Sequence, residues 1–132
     1  MGVGLEDWLL RCSEFLKAAY ELKNAGLFSL ACFSAHQAAE MCLKGAIVWR
    51  IGSHPFTHSL TELLEVVEKV GFDVPEEAYR EAEWLEPHYI LARYPARGVK
   101  PYTMGTANRC IAAAELITSL VEKWCGKSLP RG

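Results

Sequence analysis

Between Ala31 and Lys44 the chain reads Ala-Cys-Phe-Ser-Ala-His-Gln-Ala-Ala-Glu-Met-Cys-Leu-Lys, and no other stretch limits the possible folds as much. At 100° per residue, Ala31, Cys32, Ala35, Ala38, Ala39, Cys42, Leu43 and Ala46 share one broad apolar face. Most of those side chains are small, so a neighbouring helix can bring its backbone close. Ser29, His36, Gln37, Glu40 and Lys44 fall in an arc of about 100° on the other side. One helix therefore carries a dense packing seam and a narrow polar stripe with an acid, a base and imidazole. The stripe has two readings: an ordinary solvated Glu40–Lys44 pair at i, i+4 spacing, or a polar surface turned towards another element, where each group needs a partner.

The remaining pattern is helical throughout. Trp8, Leu9, Cys12, Phe15, Leu16 and Ala19 predict a first helix over 5–24, closed by Gly26. The second runs from about 27 to 51 and, apolar around most of its circumference, is expected at the centre. Ser59-Leu-Thr-Glu62 reads as a capping box for a third helix ending at Gly71, with the Ser59 hydroxyl and Glu62 carboxylate each taking a free backbone N–H. Pro75 suits the first position of a fourth helix, and Pro87 is expected to break that helix near Glu83. Residues 93–102 form a loop, and a last helix spans about 103–125. Nothing reads as a strand. The expected fold is all-α: an up-and-down bundle of four long helices plus a shorter one, forming a single domain over 1–132.

At 132 residues and 51% hydrophobic content, the chain can bury a full core. No apolar run approaches the roughly 18–20 residues of a membrane span. Met1-Gly-Val-Gly-Leu-Glu-Asp offers no basic segment ahead of an apolar one, so a cytoplasmic protein is expected. A net charge of −2 argues against nonspecific nucleic-acid binding over the whole surface, though not against a local basic patch. The five cysteines lie within helical patterns and form no C-x2-C pair, which reads as small buried thiols. An interhelical disulfide such as Cys12 with Cys110 is the alternative, chiefly in a hyperthermophile. His54 and His58 flank a proline in a loop, so neither a metal set nor a cofactor is expected; His58 instead packs at the helix entry. Arg93-Tyr94-Pro95, with Arg97, Lys100 and Tyr102, reads either as a phosphate- or base-binding surface or as a solvated basic turn.

Taken in order, Phe33-Ser-Ala-His-Gln-Ala-Ala-Glu40, Lys44, His58-Ser-Leu60 and Arg93-Tyr-Pro95 resemble the HEPN (higher eukaryote and prokaryote nucleotide-binding) domain family, across essentially the whole chain. The resemblance implies a helical bundle, a homodimer, and a two-component, toxin–antitoxin-like pairing with a minimal nucleotidyltransferase. It assigns His36, Glu40 and Lys44 to the polar stripe, and Arg93, Tyr94 and Pro95 to the arginine-bearing segment. Binding of a nucleotide or RNA phosphate would then fall to Arg93, with Lys44 in support and Tyr94 or Tyr102 stacking on a base. Glu40 and His36 would orient Arg93 or a ligand hydroxyl. Family members that cleave RNA without metal carry Arg, four to six residues, then His, whereas no histidine follows Arg93 here. Proton exchange near neutral pH suits imidazole and not guanidinium, so the expectation leans away from an enzyme and leaves catalytic residues unassigned. Two alternatives stay open: a metal-independent endoribonuclease using Arg93 with His36, His88 or Tyr102, and a non-catalytic dimerisation module.

Overall fold

The computed structural model describes residues 3–130, so the two outermost positions at each end of the expected domain lie outside the described residues. The chain forms α1 (Leu5–Asn24), α2 (Phe28–Ile51), α3 (Leu60–Lys69), α4 (Glu76–Leu85), the single turn α5 (His88–Leu91) and α6 (Met104–Cys125). No strand occurs among the described residues. The all-α expectation holds, with three helices of twenty residues or more and two of ten. None of the helices is long and apolar enough to cross a membrane.

The small-residue face of α2 places it between α1 and α6. All eight residues of that face are buried, and so are Leu9 of α1 and Ile117 and Val121 of α6. Each such aliphatic side chain contributes roughly 1.5–3 kcal/mol on burial. The closest approach falls at Gly45, where a Cβ would lie 2.7 Å from the Cβ of Trp8. Gly52 ends α2 with φ +82°, a conformation that costs an L side chain but not glycine.

Three local details differ from the sequence reading. At the α3 cap, the Ser59 hydroxyl accepts the Glu62 N–H as expected (3.2 Å). The Ser59 N–H, however, donates to the Thr57 hydroxyl, and the missing carboxylate comes from Glu86. Its Oε1 accepts from the Thr61 N–H and from the Ser59 and Thr61 hydroxyls at 2.8–3.0 Å. Second, α4 runs past Glu83 to Leu85, because the Glu86 N–H still reaches the Ala82 carbonyl (2.8 Å). Pro87, with φ −60°, then caps the new turn α5; its ring ends one helix and its fixed φ starts the next.

The third difference concerns the cysteines. Cys110 is disulfide-paired with Cys32, their Cα atoms 5.2 Å apart, and not with Cys12. Cys12 faces Cys42 across α1 and α2, sulfur to sulfur 2.8 Å, and both remain thiols. The expectation of buried free thiols therefore holds for Cys12, Cys42 and Cys125. Arg109 of α6 closes the other side of the bundle with a bidentate pair to Glu81 of α4 (2.8 and 2.7 Å).

Candidate functional site

His36, Glu40 and Lys44 of the α2 polar stripe are buried, with Ser29 and Gln37 partly exposed, which removes the solvated-pair reading. Glu40 is 1% exposed and Lys44 6%. At the centre sits the Glu40 carboxylate. Lys44 Nζ donates to Oε2 at 2.9 Å, and His58 Nδ1 lies 3.0 and 3.1 Å from the two oxygens. His36 Nδ1 is 3.8 Å from Oε1 and 3.2 Å from the Gln37 amide oxygen. One carboxylate is thus compensated by an ammonium and shared by two imidazoles, which is how a buried charge is tolerated. Burial pushes the His36 imidazole below its usual 6.5, against the opposing pull of Glu40, so the ring is neutral at pH 7. Its Nε2 is buried with no hydrogen-bond partner among the described residues.

His58 joins this buried group to the surface. Its side chain is half exposed, and it sits just before α3, where Glu86 fastens the cap. For Glu86, burial alone would raise the carboxyl, but the Thr61 N–H, the two hydroxyls and nearby His36 outweigh it and hold it below 4.5. The His58 ring stacks on Tyr89 of α5, centroids 4.2 Å apart and planes inclined by 15°. Tyr89 also meets His36 (5.2 Å) and Phe33 (5.9 Å).

Tyr89 then carries Arg93. The guanidinium carbon lies 4.4 Å from the Tyr89 ring centre, 4.8 Å from that of Phe33 and 5.2 Å from that of Tyr94. Its Nε donates to the Tyr89 carbonyl at 2.6 Å. Neither terminal nitrogen has a hydrogen bond or ion pair among the described residues. Such stacking and a single anchoring bond fix the plane of the fork and leave its outer edge available. Arg93 opens onto a recess of about 340 Å³ that Tyr94, Lys100, Tyr102 and Ser29 also line. A second recess of about 310 Å³ is lined by His58, Ser59, Glu86 and Tyr89.

The six residues singled out from the sequence therefore fall into two groups. Arg93, Tyr94 and Tyr102 line the first recess, while Glu40, Lys44 and His36 lie buried behind the Tyr89 ring. Lys44 spends its ammonium on Glu40, and Glu40 reaches Arg93 through His58 and Tyr89, not by direct contact. Tyr102 bonds His88 Nδ1 at 2.7 Å, and burial raises its phenol above 10. Sequence reasoning left out the connecting roles of His58 and Tyr89, whereas Lys100, read there as one cation of the basic loop, lines the recess as well. His58 stands eighteen positions from Glu40, beyond any helical period. Its place at the α3 entry and in the His58-Ser-Leu60 segment hinted at a fixed position.

The family model for the HEPN domain matches residues 5–124. Among solved structures the chain is similar to TT1696 from Thermus thermophilus, at 35% identity and a TM-score of 0.84, with 90% of this chain and 96% of that chain covered. It is similar also to ST0689, described as an archaeal HEPN homologue, at 28% identity and a TM-score of 0.74 over 92% and 98% of the two chains. A HEPN domain protein from Thermotoga maritima matches at 26% identity and 0.74, again over 92% and 98%. No protein with a curated description matches. With the family model spanning nearly the whole bundle and a relative at 35% identity sharing its architecture, the chain belongs to the HEPN domain family.

Proposed function

We propose that this HEPN domain binds the phosphate of a nucleotide or of RNA in the recess at Arg93, working as a homodimer with a minimal nucleotidyltransferase in a toxin–antitoxin-like pair. The observation that carries the reading is the posture of Arg93. Its guanidinium is pinned at Nε and held by three rings, with both terminal nitrogens unpaired among the described residues. A planar fork held this way suits two phosphate oxygens. Lys100 adds a second charge, Tyr94 and Tyr102 offer faces for a base, and about 340 Å³ lies at the lower end of small-ligand clefts. Glu40, Lys44 and His36 act as positioning residues, holding His58 and through it the Tyr89 plate. The exposed apolar side chains Leu30, Ile90, Leu91, Tyr94 and Met104 support an interface beside the recess. The partner rests on the family resemblance.

A second reading, metal-independent RNA cleavage, is favoured by one observation. The Glu40 carboxylate holds Nδ1 of His58, so the other ring nitrogen of a half-exposed imidazole is left to exchange a proton. On this reading His58 supplies the imidazole that the sequence does not offer after Arg93.

Equilibrium titration of a short fluorescent RNA and of a ribonucleotide, at fixed low salt, separates these readings. Arg93→Ala should weaken binding by about tenfold or more, the loss of a charge-assisted contact. Unchanged affinity for both ligands would falsify the site. Incubation of the RNA with chelator present tests the second reading: cleavage that disappears in both His58→Ala and Arg93→Ala would make the protein an enzyme.

A further inference from the structure

Beside Tyr102, three groups suited to a soft metal converge. Cys32 comes from α2, Cys110 from α6 and His88 from the start of α5. Their ligand atoms lie within 4.8 Å of one another, with both cysteines buried and His88 half-buried. The Tyr102 hydroxyl holds His88 Nδ1 at 2.7 Å, and Trp84 packs on the ring, centroids 4.9 Å apart. A hydrogen-bonded phenol that fixes a ligating histidine's ring is the kind of support metal sites use. None of these residues belongs to the Glu40–His58–Arg93 arrangement, although Tyr102 borders the Arg93 recess.

The geometry points to a zinc site made by Cys32, Cys110 and His88 in the reduced protein, which the Cys32–Cys110 disulfide abolishes. Two thiolates and one imidazole form a three-ligand zinc set that leaves one position for water. Coordination forms two Zn–S bonds and releases the two thiol protons. The disulfide forms instead when the dithiol passes two electrons and two protons to a low-molecular-mass disulfide, yielding two small thiols. Both sulfurs are then bonded to each other, and His88 alone cannot hold the ion. The site is therefore switched by the thiol–disulfide state of the surroundings, and it ties α2 and α6 together in either state.

The test uses the full chain reduced by a phosphine, freed of reductant under inert gas, and titrated with Co²⁺ as a spectroscopic stand-in for Zn²⁺. The expected result is a thiolate-to-cobalt charge-transfer band saturating at one equivalent and erased by added Zn²⁺. Chain treated with a small disulfide should show no band. Cys32→Ser and Cys110→Ser should each remove it, and His88→Ala, which leaves both core sulfurs in place, should weaken binding at least tenfold. Cys12→Ser should change nothing, since that thiol faces Cys42. No band in the reduced chain overturns the proposal. So does a band that survives His88→Ala at full affinity, or one that depends on Cys12 rather than Cys32.

Discussion

Replacing Glu40 by methionine tests whether the polar stripe of α2 is an interior charge cluster. The substitution keeps the side chain's length and removes the carboxylate that Lys44 and His58 both address. His58 is half exposed, so water replaces its lost acceptor at little cost. Lys44 is different: its side chain is only 8% exposed, and its ammonium would stay buried without a counter-charge. Removing one partner of a buried pair costs about 3–5 kcal/mol, a large share of the roughly 5–15 kcal/mol available to a domain of this size. Such a loss corresponds to a fall in Tm of roughly 10–20 °C. Lys44→Met should cost less, about 1–3 kcal/mol, because Glu40 keeps His58. The double variant replaces the pair with apolar groups of similar volume and should be more stable than the sum of the singles by about 1–3 kcal/mol. Urea unfolding followed by circular dichroism gives all four stabilities. A Glu40→Met cost below about 1 kcal/mol, the range of exposed pairs, or strictly additive singles, would show that water reaches the cluster and would refute the reasoning.

Gly45→Ala should destabilise by roughly 1 kcal/mol. The added methyl lies 2.7 Å from Trp8 Cβ, and overpacking of about 1–3 kcal/mol exceeds the gain of about 1 kcal/mol from better helix propensity. An unchanged or higher Tm would mean that α1 and α2 separate freely. Acidification should act in two stages. His36 and His88 have folded pKa values pushed below 6.5 by burial, so the unfolded chain binds their protons first, and stability falls as pH drops below about 6.5. Glu86, held below 4.5 by its α3 hydrogen bonds and His36 despite burial, contributes above that value and loses its contribution as pH falls through its folded pKa. Urea midpoints at about pH 7.5 and about pH 5.5 should differ, the higher pH being the more stable; equal midpoints would contradict the burial of both imidazoles.

Much of the bundle can be read from spacing. The run from Ala31 to Ala46 marks the central helix because small side chains at helical period leave no other way to bury that much surface. The end of α1 follows from Gly26, and every residue expected on the α2 seam is buried. Spacing also brings His36, Glu40 and Lys44 onto one stripe. It does not decide whether the stripe meets water, which depends on what α3 and α5 lay over it.

Local sequence by itself determined which residues share a face, because the turn of a helix is set by its own backbone. Partners across helices were decided only in three dimensions. His58 meets Glu40, Tyr89 stands between His58 and Arg93, Glu86 completes the α3 cap, and Cys110 finds Cys32 in place of Cys12. Each of these pairings depends on how far one helix slides and rotates against another. That offset is set by the fit of many core side chains at once, including the contact of Gly45 with Trp8, and no short stretch of sequence records it.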